Sequence, residues 1–208
     1  MVTVPKRQSR TNRERVEEST LALTASAIEL FARQGYERTT AAEIGTNAGF
    51  SRNMVRDRYG SKDALLQSVF EEFGRRLLPA VRGERAGSGL DRVLGQIDDL
   101  LDAVEREPET MRAVIVLTFE TPGPLQAFAG WFDRLIAAYE VELAAHLTSG
   151  QAGGSIRRDL DPVREAEVVV SHAIGLCFRS ALRRDEYDFV GEIRQFRDRI
   201  AGQYRVLH

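Results

Sequence analysis

The chain has 208 residues, 43% hydrophobic and 29% charged, which are the proportions of a globular protein with enough apolar side chain for a sizeable core. No run approaches the roughly 20 apolar residues of a membrane span, the polar, basic N-terminus has no apolar secretory segment, and one cysteine, Cys177, excludes an intramolecular disulfide framework; a cytoplasmic protein with no membrane partner is expected. The net charge of −2 is unevenly spread. Residues 1–62 carry 11 Lys and Arg against 7 Asp and Glu, and the remainder 18 against 24, so positive charge suited to phosphates gathers at the N-terminal end.

Residues 1–11 hold Lys6, Arg7 and Arg10 with no apolar pattern and read as a basic, disordered tail, or as an arm adding phosphate or minor-groove contacts. From about Asn12 to Gln34 the positions Val16, Leu23, Ala27, Leu30 and Phe31 recur at helical spacing, and Gly35 ends that helix. Thr39 and Thr40 stand where the next helix starts and can cap it; Ile44 and Ala48 give its apolar face, and Gly49 supplies a left-handed end. Ser51 is expected to cap a helix over Ser51–Tyr59, in which Val55 and Tyr59, four apart, form one narrow inward stripe. Arg52, Asn53, Met54, Arg56 and Asp57 fan over its other side. A short helix with a small anchor and a polar outward face, set after a tight glycine turn, suits entry into a major groove. Arg and Asn supply the bidentate donors that read guanine and adenine, and Asp57 either accepts from cytosine N4 or pairs with Arg52 or Arg56.

Ser61 caps a fourth helix carrying Leu65, Leu66, Val69, Phe70, Phe73 and Leu77 to about Leu78. Gly83–Gly89 is the clearest linker. Leu90, Val93, Leu94, Ile97, Leu100, Leu101 and Val104 then make an amphipathic helix, Pro108 starts another, and Met111–Phe119, apolar nearly all round, reads as a buried central helix because no partner strand is apparent. After a turn at Thr121–Pro124, a long helix over Leu125–Ser149 carries Phe128, Phe132, Leu135, Tyr139, Leu143 and His146 on one side, and Gly150–Gly154 breaks it. Asp161 and Pro162 open a helix running to about Arg184, and a last one carries Phe189, Ile193, Phe196, Ile200, Tyr204 and Leu207. The total is about nine helices and no strand.

The run from Gly35 to Leu66, with its Gly-Tyr, Thr-Thr, Ile44, Ala48-Gly49, Ser51, Tyr59 and Ser61-Lys62 signature, resembles the TetR-type transcriptional regulators. The resemblance implies an all-α fold with an N-terminal three-helix helix-turn-helix DNA-binding domain at residues 12–60. A larger helical effector-binding and dimerisation domain would follow at residues 61–208. It further implies phosphate contacts from Thr40 and Lys62, with Ser51–Tyr59 as the recognition helix, so the expected DNA-binding set is Thr40, Ser51, Arg52, Asn53, Arg56, Tyr59 and Lys62. The sequence departs from the family at Gly45 (often Ala), Asn53 (often small), Arg56 (often Tyr) and Arg58 (often His).

The last two helices have apolar stripes wide enough for both a core and a partner, and Ser171 and Gly175, four apart, allow close backbone approach. A homodimer through Ser171, Gly175, Phe178, Ile193, Phe196 and Ile200 is expected, its twofold axis placing two recognition helices about one DNA turn apart. An effector pocket is expected among Arg112, Thr118, Phe128, Trp131, Tyr139, His146 and His172, polar or aromatic groups within apolar stretches. Phosphate-loop, nucleophile-elbow, zincin and Cys/His metal signatures are missing, so catalytic residues, metals and cofactors are not expected. The expected function is a ligand-responsive repressor that binds a palindromic operator of double-stranded DNA as a dimer. The alternative is an all-α ligand-binding or interaction protein with a vestigial helix-turn-helix.

Overall fold

Nine α-helices form among the described residues: α1 (Asn12–Gln34), α2 (Ala41–Asn47), α3 (Met54–Tyr59), α4 (Lys62–Arg82), α5 (Gly89–Arg106), α6 (Pro108–Glu120), α7 (Ala129–Ala152), α8 (Pro162–Arg183) and α9 (Phe189–Tyr204). This computed structural model describes residues 11–82, 85–183 and 186–206, and side chains of 75–82 lie outside the description. The expected basic tail, apart from Thr11, and the start of the 83–89 linker lie outside the described residues. Among those described, there is no strand, only an isolated bridge between Ile156 and Arg205, and no helix is long and apolar enough to cross a membrane.

Local chemistry sets the helix ends. Thr11 with Glu14, Thr40 with Glu43 and Ser88 with Asp91 each form a reciprocal capping box, a device contributing about 1 kcal/mol per helix. Asp161 accepts from the N–H groups of Val163 and Arg164 and starts α8. Gly35 and Gly49 end α1 and α2 at φ +78° and +79°, where a side chain would be strained.

Both ends of α7 differ from the sequence expectation. The 125–149 helix begins as a 3-10 turn at Gln126–Phe128, because Leu125 N–H bonds back to Glu120 O and closes the Thr121–Pro124 turn first. It then runs through Gly150 to Ala152. Gly150 is not a breaker here; it is buried, and a Cβ on the neighbouring Gly89 would stand 2.2 Å from Gly150 Cα.

The interior forms two apolar clusters. One joins α1–α3 to α4, α6 and the start of α7, through Leu23, Phe31, Ile44, Val55, Leu65, Phe70, Leu117 and Phe132. The other joins α5, the end of α7, α8 and α9, through Val93, Leu147, Ile156, Val169, Ile193 and Tyr204. Each fully buried aliphatic or aromatic side chain contributes roughly 1.5–3 kcal/mol. Helix α6 therefore belongs to the core under the helix-turn-helix, although two whole helices, α4 and α5, stand between them in the chain.

Candidate nucleic-acid interface and effector cavity

Helix α3 is held from beneath and left open above. Val55 is fully buried. Arg58 donates to Ser19 Oγ at 2.8 Å, and the Tyr59 hydroxyl lies 3.4 Å from Thr24 Oγ1, so two bonds tie α3 to α1. Between α1 and α2, Ser26 Oγ donates to Ile44 O at 2.9 Å and Asn47 Nδ2 donates to Ser26 Oγ at 3.1 Å. On the opposite side Arg52, Asn53, Arg56 and Asp57 are exposed, and no hydrogen bond or ion pair engages their side chains among the described residues. The expected pairing of Asp57 with Arg52 or Arg56 does not form.

The expected DNA-facing set is thereby sorted. Arg52, Asn53 and Arg56 share one outward face. Thr40 is exposed at the start of α2, but its hydroxyl already donates to the Glu43 carboxylate at 2.8 Å; these hydrogen bonds from Thr40 hold the Glu43 carboxyl below the usual range. Ser51 is exposed yet does not cap by its side chain: α3 starts at Met54, with Asn53 in the cap position, because the chain turns at 52–53 and Met54 N–H bonds to Ser51 O. Met54 is half-buried against the core rather than outward. Tyr59 is half-buried too, so it supports the helix from below. Lys62 Nζ donates to Tyr36 O at 2.9 Å and Thr39 O at 2.7 Å and sits 3.7 Å above the Tyr36 ring. Burial lowers its pKa, and two of its three donors are used inside the protein.

The departures at Gly45 and Arg58 have structural reasons. A Cβ at Gly45 would stand 2.5 Å from Ser51 O, because Phe50 N–H bonds to Gly45 O and draws the turn against α2. Arg58 is the tie from α3 to α1 just described.

A second junction connects α6 to this unit. Glu120, its last residue, accepts from Tyr36 N–H at 2.8 Å. The Tyr36 hydroxyl in turn donates to Asp63 at the start of α4; burial, then that bond, raises the phenol pKa. Tyr36 thus touches α6, α4 and, through Lys62, the residue before the α2 cap.

Along its length, from Met111 to Phe119, α6 also lines a cavity of about 190 Å³ that it shares with α5, α7 and α8, with Ile193 and Phe196 of α9 also contributing. Of the expected pocket residues, Thr118 and Tyr139 line it. Phe128 and Trp131 instead pack on Phe70, with ring centroids 5.3 and 4.9 Å away, and belong to the first core. His146 is buried off the cavity, and burial lowers its pKa. His172 stacks on the Phe196 ring at 4.3 Å from α8's outer side, and Arg112 is half-buried on α6 away from the lining. The lining is mostly aliphatic, and its buried amide, Gln96, was missed. Its signal was available: a glutamine inside the apolar stripe of Val93, Leu94, Ile97 and Leu100. Cys177 also lines the cavity, and burial pushes its thiol up to about 12.

The expected partner surface divides in the same way. Ser171, Gly175 and Phe178 lie on an outward stripe of α8 with Val168 and Leu182, the last 66% exposed. Ile193, Phe196 and Ile200 are buried within the protomer, because α9 turns its apolar side to α5 and α8. They are core rather than interface.

Residues 23–69 match the family model described as bacterial regulatory proteins, tetR family. None of the curated proteins matches the chain. Among solved structures, a TetR transcription regulator from Haloarcula marismortui is 19% identical, with a TM-score of 0.73 over 91% of this chain and 100% of its own. The fatty acid degradation regulator FadR from Bacillus halodurans is 13% identical, with a TM-score of 0.73 over 94% and 97% of the two chains. NalD, the secondary repressor of the MexAB-OprM multidrug efflux pump in Pseudomonas aeruginosa, is 14% identical, with a TM-score of 0.70 over 91% and 98%.

Proposed function

We propose that this chain, a TetR-type DNA-binding regulator by its N-terminal domain and its fold, acts as a homodimeric repressor released from a palindromic operator by a small molecule. Residues 12–60 read the DNA, and the remainder holds the effector and the partner copy. Arg52, Asn53 and Arg56 present bidentate donors to base edges. Thr40, Ser51 and the third donor of Lys62 face the phosphates, with Tyr59 as support. The departures at Gly45 and Arg58 are packing devices, which speaks against a vestigial helix-turn-helix.

The observation that carries the regulatory part is the continuity of α6. Thr118 and Phe119 line the cavity, and the next residue, Glu120, bonds to the backbone of Tyr36 at the base of the DNA-reading unit. An effector that binds better when α6 is displaced shifts the population toward a DNA-incompetent arrangement by the ratio of its two affinities. The dimer is assigned to the outward stripe of α8, with the outer side of α9 beside it. This pairing would place the two recognition helices about one DNA turn apart.

The test is a selection of bound sequences from random duplex DNA at moderate salt. A palindrome is expected, lost on Arg52→Ala or Arg56→Ala, with binding that weakens steeply as salt rises. A folded dimer that enriches no sequence, alone or with cell extract added, would overturn the reading.

A further inference from the structure

The cavity's lining limits what can occupy it. Among the described residues lining it there is no Asp, Glu, Lys, Arg or His. An ionised ligand would shed its hydration there without a counter-charge, which is prohibitive for a carboxylate or an ammonium group. Ile97, Leu100, Ile115 and Leu135 are typical of the walls and favour an apolar body.

One fully buried polar atom in this lining lacks a partner among the described residues. Gln96 is 7% exposed, it lines the cavity, and its Nε2 is buried without a hydrogen-bond partner. Leaving a buried donor unpaired is costly unless something arrives to accept from it. Thr118 offers a ligand no further donor, because its one O–H donates to Val114 O at 2.7 Å. Size adds a third constraint. A dry apolar cavity of about 150 Å³ is known to hold benzene, so about 190 Å³ accommodates on the order of eight non-hydrogen atoms by the same scale.

We propose that the cavity binds an uncharged, largely apolar carbonyl compound of about this size, its oxygen accepting a hydrogen bond from Gln96 Nε2. This rests on the effector-responsive reading above and names the chemical class of the effector.

The probes are two ketones, 2-heptanone and acetophenone, the hydrocarbon ethylbenzene and the carboxylate benzoate. Each is titrated calorimetrically into the full-length protein, and operator release is followed in parallel by fluorescence anisotropy. At least one ketone is expected to bind about tenfold tighter than ethylbenzene, the net value of one hydrogen bond, and benzoate not to bind. Gln96→Leu is expected to abolish the ketone's advantage while ethylbenzene binds unchanged or better. Ala173→Phe, which fills the cavity from α8, is expected to abolish ketone binding, and serves as the test if Gln96→Leu does not fold. Failure of both ketones, benzoate binding as tightly as a ketone, a ketone preference that survives in folded Gln96→Leu, or ketone binding that survives Ala173→Phe would each overturn the assignment. Gln96-dependent ketone binding that leaves operator affinity unmoved would uphold the ligand class and overturn the repressor reading. Operator release by benzoate would do the reverse.

Discussion

Gly45→Ala offers a sharp test of how the DNA-reading unit is held, because alanine often stands there in the TetR-type regulators that the sequence resembles. The structure predicts that it harms this protein. The added Cβ would stand 2.5 Å from Ser51 O, where real contacts essentially never fall under 3.0 Å, so α2 and the turn into α3 must separate by at least the difference. Both sides of this contact are backbone, and no rotamer can absorb it. Overpacking of this kind costs about 1–3 kcal/mol, and replacing a helical glycine by alanine returns roughly 0.5–1 kcal/mol. A net loss of up to about 2.5 kcal/mol follows, a fall of a few degrees in Tm at roughly 2–4 °C per kcal/mol for a chain of this size. Operator affinity should suffer more than stability, because Arg52 and Arg56 ride on the displaced segment and bidentate base contacts are geometrically strict; about tenfold or more is expected. Thermal unfolding by circular dichroism and operator titration by fluorescence anisotropy measure the two effects. A variant as stable as the parent and equally tight on its operator would refute the close-approach argument.

Other expectations follow from the same geometry. Arg52→Ala and Arg56→Ala should each weaken operator binding by about 1–3 kcal/mol and leave the unfolding curve in place, since both side chains are exposed and unbonded. Glu120→Ala leaves Tyr36 N–H without its acceptor; a stability loss of about 1–2 kcal/mol and a blunted effector response in operator release are expected. Phe178→Asp places a charge in the middle of the exposed α8 stripe and should convert a dimer to a monomer in sedimentation, without loss of helix content. His146 supplies a pH dependence: its pKa is lowered by burial, so between that value and the unfolded one near 6.5 the unfolded chain binds more protons and stability rises with pH. Its contribution is complete above about pH 6.5 and is lost on acidification; urea unfolding from pH 5 to 8 should show this slope, and His146→Gln should reduce it to the part left by His172, whose pKa burial also lowers.

What could be read from the sequence was what local chemistry decides. Thr40, Gly49, Asp161-Pro162 and Pro108 mark helix ends through bonds to residues a few positions away, and the helices formed there. The outward polar side of α3 was legible for the same reason: one narrow stripe, Val55 and Tyr59, leaves little choice of which side is buried. The cavity was not legible. Trp131 and Phe128 look like ligand-binding aromatics in a one-dimensional reading, but whether a ring faces a void or another ring depends on α4, which brings Phe70 beneath them. Ile193, Phe196 and Ile200 were ambiguous in the same sense, since an apolar stripe does not state whether the protomer or its partner covers it. The tie of Arg58 to Ser19 and the hold of Glu120 on Tyr36 span 39 and 84 residues, beyond the reach of any local pattern.

The contact of Gly89 with Gly150 sets where this molecule is able to yield. A Cβ on Gly89 would meet Gly150 Cα at 2.2 Å and His146 O at 2.6 Å, so α5 and α7 meet there main chain to main chain, beside Ile156 and Tyr204 in the second core. Side chains deform by changing rotamer; two touching backbones have no such freedom and resist like a riveted joint. A ligand in the space between α5, α6, α7 and α8 would therefore find α5 and α7 pinned at that end, and any opening it causes would fall on the side-chain contacts that hold α6 and α8.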